Sequence, residues 1–441
     1  MPYTVHSAES REAILKTLGV GSADALFAHI PKEVHKPTSA GLEPALGEYE
    51  LLSRFHQIVS EGKSPLTDHC CGYGLYRHRI PLSVDHLGSR REFVTSYTPY
   101  QPEVAQGTLQ ALFEYQSLLA IMTGMPVANA SLYDGSTALV EAVRMAMRQK
   151  GLGNARIYFS AGVNPRYEQV FQSYFLDAEG KRFAETIRLG HDAKSGVTEW
   201  PTESADIVVV QNPHYLGVAE PVQNLATLYP QATVIYLTTE VLSTVILDNP
   251  AAWGAEIVCG EAQSLGLPVH YSGPGLGFIA ATKDYLRNMP GRLVGKTTAK
   301  DAFGRDTDAF VITLATREQH IRREKATSNI CSNQTLMAVR AAIFMSALGW
   351  QGMQKLVARS MEKAHAFAAE LRAKNPAALL FPEGTVFHEV AWRSDKLDAI
   401  IQRCVAQGFY PGVRLDSTTM LSYFHDDFSD SMLNFLTAEL L

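Results

Sequence analysis

Four short stretches of the chain, Ile157–Ser160, Ile207–Val210, Val234–Leu237 and Ile257–Cys259, are nearly unbroken apolar runs. A strand with one wet face alternates apolar and polar side chains, so an unalternating run is what a strand buried on both faces requires. Helical or turn-rich sequence separates each run from the next. The pattern predicts an α/β domain with a largely parallel sheet between helical layers. One such helix is predicted over Glu103–Thr123, where Val104, Leu109, Leu112, Phe113, Leu118, Leu119 and Met122 recur at helical spacing before Gly124. A second follows Asp134-Gly135-Ser136-Thr137, with Ala138, Leu139, Ala142, Val143, Ala146 and Met147 as its stripe.

The ends of the chain read differently. Ser7 or Ser10 caps a helix through Leu18, stopped by Gly19. Ser22 starts a short helix ended by Pro31, and a third runs from Gly47 to Glu61. After Lys325 helices dominate, over Asn333–Leu348 and Met353–Lys374, followed by the β-like VFHEVAW and a helix near Leu397–Gln407. The expected organisation is a helical segment over 1–64, a large α/β domain over 65–325 and a smaller carboxyl-terminal α+β domain over 326–441.

With 46% apolar and 19% charged residues, the 441-residue chain has the makeup of a globular enzyme. A formal net charge of −6 gives no field that favours nucleic acid or an anionic membrane. No apolar run approaches the roughly 20 residues that cross a bilayer. The amino terminus, MPYTVHSAESREAILK, has no apolar core of a signal peptide, so a cytoplasmic location is expected. Cys70, Cys71, Cys259, Cys331 and Cys404 form no C-x-x-C pair, which argues against a disulfide framework or a zinc site.

Several motifs fail on context. GRLVGKTT at Gly291–Thr298 has Pro290 where a P-loop needs glycine and follows helix-like sequence, so it reads as a glycine-containing turn. The glycines of SGPGLGF at Ser272–Phe278 are wrongly spaced for a dinucleotide fold. Neither H-E-x-x-H nor G-x-S-x-G occurs.

Three segments remain. Ser131-Leu132-Tyr133-Asp134-Gly135-Ser136-Thr137 leads into a helix, and its amides and hydroxyls suit either a phosphate or an ordinary cap. Ser96-Tyr97-Thr98-Pro99-Tyr100-Gln101-Pro102-Glu103 makes a stiff loop carrying two phenols, which suits a binding surface. Thr316-Arg317-Glu318-Gln319-His320-Ile321-Arg322-Arg323-Glu324-Lys325 concentrates four cations before Thr327-Ser328-Asn329. A solvated face, a phosphate, a carboxylate or an acidic partner would each suit such a run.

Taken in order, SYTPYQPEVAQGTLQALFEYQ, NASLYDGSTALVEA, QNPHYLG, GEAQSLGLPVHYSGPGLGF, MPGRLVG and TREQHIRREKATSNICSNQ resemble the signatures of the glycine decarboxylase P-protein. GVGSADALFAHIPKEV is similar to the amino-terminal run of its alpha subunit, where the protein is split into two chains. The resemblance implies the type I pyridoxal-phosphate fold, a large α/β domain with a smaller carboxyl-terminal one. It implies glycine as substrate, and as partners a beta subunit and the lipoyl-bearing H-protein that accepts the aminomethyl group. It also implies that this chain lacks the Schiff-base lysine, because Gln263 stands at that place in Cys259-Gly260-Glu261-Ala262-Gln263-Ser264-Leu265. Lys283 and Lys296 lie in the wrong context, and Glu240 falls where an acid facing the pyridine is expected. Pyridoxal phosphate is then expected on the beta subunit.

On this view Tyr97, Tyr100, Arg323 and Lys325 act across an interface, with Ser131, Asp134, Gly135 and Ser136 on a vestigial or interfacial cofactor turn. The rival readings are a stand-alone pyridoxal-phosphate enzyme using another lysine, and a non-catalytic scaffold that docks H-protein. Two stretches depart from the family pattern: Cys70-Cys71-Gly72-Tyr73-Gly74-Leu75-Tyr76-Arg77-His78, and Leu237-Thr238-Thr239-Glu240.

Overall fold

The computed structural model describes residues 6–31, 33–34, 43–62, 66–95, 97–176, 182–270, 273–314, 319–330 and 333–441. The chain divides into two units, Met1–Ser64 and Pro65–Leu441. In the first, α1 (Ala8–Leu18) starts with the Ser10 N–H donating to Ser7 Oγ and stops at left-handed Gly19. A short 3-10 turn, Asp24–Phe27, begins where the Ala25 N–H donates to Ser22 Oγ. Helix α2 (Glu48–Glu61) is opened by the Gly47 N–H donating to Glu50 Oε2. The start at Ser7 and the stop at Gly19 are the ones that the capping residues predict, whereas the element after Ser22 is a single 3-10 turn that ends at Phe27, short of Pro31.

The second unit begins with β1 (Asp68–His69), α3 (Leu82–Gly88), α4 (Arg91–Val94) and α5 (Gln106–Thr123). Its main sheet is built from β2 (Val127–Ala128), β3 (Arg156–Phe159), β4 (Glu185–Arg188), β5 (Ile207–Gln211), β6 (Thr233–Thr238), β7 (Ile257–Glu261) and β8 (Gly277–Ala281). The strand order is β2-β8-β7-β6-β5-β3-β4, parallel except that β8 runs antiparallel to both its neighbours. Every residue of β5, β6 and β7 is buried, as the apolar runs require.

Alternate residues serve two different cores. Ile207, Val209, Ile235, Leu237, Ile257 and Cys259 pack with α6 (Gly135–Lys150) through Ala138, Leu139, Ala142, Val143 and Ala146. Val208, Val210, Val234, Tyr236 and Val258 pack on the other face with Leu109, Leu112, Tyr115 and Leu119 of α5. Helix α7 (Pro165–Tyr174) follows β3.

The helix Thr335–Lys374 is interrupted at Gly349 (φ 61°, ψ 176°), between the two helices expected there. Its first half enters the core beneath the main sheet through Ala338, Ala341 and Phe344. Its second half, through Ala364, Phe367 and Leu371, packs on the smaller carboxyl-terminal sheet. That sheet has the order β11 (Glu389–Arg393), β14 (Thr419–Tyr423), β13 (Val413–Arg414), and β1 pairs separately with β12 (Phe409–Tyr410). Buried Trp392 anchors the smaller core, its indole N–H donating to Ser422 Oγ at 2.8 Å.

GRLVGKTT is not a turn. It forms most of β9 (Leu293–Lys300), which pairs with β10 (Asp306–Thr313) as an antiparallel hairpin. Among the described residues no helix is long and apolar enough to cross a membrane.

Candidate functional site

In open α/β sheets ligands bind beyond the carboxyl ends of the strands, where the strand order reverses. Here the reversal falls between β3 and β5. The Asn164 N–H donates to Gln211 Oε1 (2.8 Å) there, joining the residues that follow one strand to the end of the other.

The crevice beyond these strand ends is filled by the chain itself. Cys70–Ile80, which contains the stretch Cys70–His78 read above as departing from the family pattern, runs through it. Asn164 Nδ2 donates to the Tyr73 carbonyl (3.2 Å), and the Tyr76 N–H donates to Gln263 Oε1 (3.0 Å). On the other wall Glu389 accepts from the Tyr73 N–H (2.7 Å) and from the Tyr76 hydroxyl (2.8 Å). The backbone turns through positive φ at Tyr73 (67°) and Gly74 (102°) to follow this path. At Gly72 a Cβ would lie 2.3 Å from Glu389 Oε1, so only glycine passes that point.

Charge is arranged in buried pairs. His78 Nε2 lies 2.9 Å from Glu240 Oε2, and His78 Nδ1 lies 3.8 Å from Asp426 Oδ1. Burial opposes a charge on His78, yet the Glu240 and Asp426 carboxylates outweigh it and raise the imidazole to about 9. Burial likewise opposes ionisation of Glu240, but His78 and His388 hold it well below the usual carboxylate range. Glu389, whose hydrogen-bond partners among the described residues are the neutral Tyr73 N–H and Tyr76 hydroxyl, is pushed by burial up to about 7. These are properties of a closed interior.

The turn before α6 is also occupied. Asp134 is its N-cap, accepting from the Thr137 N–H (2.8 Å) and the Ser136 hydroxyl (2.6 Å). The Gly135 N–H donates to Glu261 Oε2 (2.9 Å). The other oxygen of Glu261 accepts from the Gln263 N–H (3.0 Å) and the Leu276 N–H (2.7 Å). Burial pushes Glu261 up to about 7 against the pull of these three donors. Ser131 is fully buried, with φ 104°, and its hydroxyl accepts from the Gln334 N–H (3.1 Å). Two glycines of SGPGLGF pack against the turn: a Cβ at Gly277 would lie 2.3 Å from the Asp134 carbonyl oxygen, and one at Gly275 3.0 Å from the Asp134 Cβ.

Gln263 is only 2% exposed and held at both ends, accepting from Tyr76 and donating to the Leu267 carbonyl (2.5 Å). Among the described residues no group of three or more histidines, cysteines or acids is placed to hold a metal ion.

A second locus gathers four of the quoted sequence segments. The Arg292 guanidinium lies over the Tyr100 ring, 5.2 Å from its centroid, and its Nη2 donates to the Tyr100 hydroxyl (3.1 Å). Its Nη1 donates to Asn333 Oδ1 (3.0 Å), and Asn333 Nδ2 donates to the Ala130 carbonyl (2.8 Å) beside Ser131. Tyr97 stands outward, 78% exposed. Arg323 and Lys325 lie in an exposed single turn, and beyond them the Thr327 carbonyl accepts a hydrogen bond from Arg148 of α6. Ser96, Thr316, Arg317, Glu318 and Cys331 lie outside the described residues.

The structure therefore brings Tyr100 to the Ser131 turn but gives Asp134, Gly135 and Ser136 internal partners. Sequence reasoning missed Arg292, Asn333, Glu261, Tyr76 and Glu389. Glu261 carried a signal, since a carboxylate closing an apolar strand run must find donors.

Two enzymes of distant sequence share this architecture: a sphingosine-1-phosphate lyase from Burkholderia pseudomallei (TM-score 0.63, 10% identity, 92% of this chain and 93% of that one), and a glutamate decarboxylase from Lactobacillus brevis (TM-score 0.60, 13% identity, 92% and 95%). With its large, mostly parallel sheet, the fold is that of the type I pyridoxal-phosphate enzymes. Residues 1–421 match the model of the glycine cleavage system P-protein, and the chain belongs to that family. It is 42% identical to a probable glycine dehydrogenase (decarboxylating) subunit 1 from Phenylobacterium zucineum, over 94% of this chain and 93% of the relative. Its counterpart in Aquifex aeolicus is 40% identical, over 98% and 96%. A crystal structure of an inhibitor-bound glycine decarboxylase (P-protein) of the glycine cleavage system superposes with a TM-score of 0.85 at 36% identity, over the whole of both chains.

Proposed function

We propose that this chain is the cofactor-free member of a two-chain glycine decarboxylase and completes an active site whose pyridoxal phosphate is held by the other subunit. Together the subunits decarboxylate glycine and pass the aminomethyl group to the lipoyl group of H-protein. The relatives' designation as subunit 1 supports a second subunit.

A site for pyridoxal phosphate needs an imine-forming lysine, an acid facing the pyridine nitrogen and a cup for the phosphate. The residues of this chain do not fit that group. Gln263 takes the lysine's place in the family motif, and an amide forms no imine. Glu240 is committed to His78. At the start of α6, Glu261 sits on the Gly135 N–H with Asp134 beside it, so a phosphate would meet two carboxyl groups. The Glu261–Gly135 hydrogen bond carries the reading, because it gives the helix start a carboxyl oxygen of the chain's own.

What the chain supplies is then its surface. Tyr97 and Tyr100 would orient the substrate across the interface, and Arg323 and Lys325 would meet a glycine carboxylate or steer an acidic carrier. The test is to titrate the chain with pyridoxal phosphate, alone and with its partner subunit, following cofactor absorbance and glycine-dependent CO2 exchange with H-protein present. The expected result is no borohydride-trapped cofactor on this chain and activity on mixing. Cofactor trapped on this chain alone would make the stand-alone enzyme the better reading.

A further inference from the structure

Tyr100 and Arg292 have complementary exposures. The phenol is 52% exposed, whereas the guanidinium that holds it is 3% exposed. An arginine that deep is usually explained by a carboxylate or phosphate. Here two of its hydrogen bonds go to neutral groups, the Tyr100 hydroxyl and the Asn333 amide oxygen. The geometry uses both faces of arginine chemistry at once. The flat π-system of the cation lies on the ring while one prong of the fork binds the hydroxyl. A lysine could do one of these but not both.

The support behind the guanidinium is equally built. Asn333 Oδ1 also accepts from the Thr335 hydroxyl (2.7 Å), and its Nδ2 is tied to the Ala130 carbonyl. The Arg292 carbonyl accepts from the Ala130 N–H (2.9 Å), and the Pro290 carbonyl accepts from Asn129 Nδ2 (3.1 Å). Residues 129–131, 290–292 and 333–335 thus form one rigid bracket, and Tyr100 is the side chain that it presents outward.

We propose that Arg292 is a positioning residue that fixes the Tyr100 ring and hydroxyl for the active site of the partner subunit, with Asn333 holding the guanidinium in register. This rests on the reading that the chain completes its partner's site. An oriented group loses much of its effect when displaced by about an ångström, a loss that can reach roughly a hundredfold.

The experiment uses the reconstituted complex with H-protein, measuring glycine-dependent CO2 exchange for Tyr100→Phe, Arg292→Met and the double variant, with subunit affinity and thermal melting in parallel. Each single variant is expected to lower kcat by about tenfold or more, leaving subunit affinity and the KM for glycine unchanged. The double variant should be no worse than the poorer single, because both remove the same interaction. If Tyr100→Phe lowers kcat and Arg292→Met does not, or if the two losses multiply, the positioning role is overturned while the cross-interface reading stands. If the assembled complex is indifferent to both, the cross-interface role of Tyr100 falls as well. Should Arg292→Met fail to fold, Arg292→Lys decides: it keeps the charge but not the planar fork. Wild-type kcat in that variant overturns the proposal, and a loss in kcat alone supports it.

Discussion

Glu261 at the end of β7 accepts a 2.9 Å hydrogen bond from the Gly135 N–H at the start of α6, so a carboxylate of the chain occupies a helix terminus able to bind an external anion. The same carboxylate is bonded to the Gln263 and Leu276 N–H groups, which ties the turn, the strand end and the start of β8 together.

A lysine at position 263 is not expected by itself to confer cofactor binding. Gln263→Lys should leave the helix start filled by Glu261 and the crevice filled by residues 70–80. It also buries an ammonium at a 2% exposed position, costing about 2 kcal/mol or more. Mass spectrometry after borohydride treatment with pyridoxal phosphate should show no added cofactor. A modified lysine would mean that the crevice opens.

The Glu261 carboxyl makes stability depend on pH. Its folded value is raised from 4.5 to about 7, so its contribution is complete below 4.5 and is lost as pH rises through 7. Glu261→Gln removes this dependence. Relative to the parent, the variant should therefore fare better at pH 8 than at pH 5 in urea titrations. A gap independent of pH would contradict the assignment.

The His78–Glu240 pair falls off in the same direction but in a later window. His78 is raised from 6.5 to about 9, so its stabilisation is complete below 6.5 and is lost as pH rises through 9. His78→Gln takes the nearest cation from buried Glu240, leaving His388 at 3.7 Å, and should cost about 3–5 kcal/mol near neutrality. The variant should also lack the decline between pH 6.5 and 9 that chemical denaturation shows in the parent.

Gly72→Ala tests whether the crevice is as tightly filled as the contacts imply. The added methyl would meet Glu389 Oε1 and the Cβ of Tyr423, at 2.3 and 2.8 Å. Overpacking of this kind costs about 1–3 kcal/mol. Faster hydrogen exchange over residues 70–80 should accompany the loss, and an alanine variant as stable as the parent would show room to spare.

The sheet was legible in the sequence because burial on both faces leaves a run with no polar gap, as β5 to β7 show. Helix ends were legible where a local residue does the capping, as at Ser7, Gly19 and Gly124. The β9–β10 hairpin was missed because the outer half of β9 is exposed and carries no apolar signal. The filling of the crevice could not be read, since Tyr76 and Glu389 are 313 residues apart in the chain. Glu240, just beyond the end of β6, was singled out as an acid, but its partner His78 lies 162 residues away. Tyr100 was singled out for its phenol, whereas the arginine behind it sat in GRLVG, weighed only as a failed P-loop and as part of a family likeness.

A free ligand stabilises a fold only as far as its concentration rises above its dissociation constant. The segment lodged in this crevice cannot be diluted, because it is covalently part of what it fills. In the proposed division of labour, a cell short of vitamin B6 would still accumulate this half of the pair at full stability. Scarcity of the vitamin would then weigh on the other half alone, and newly made partner chains would find this one already folded.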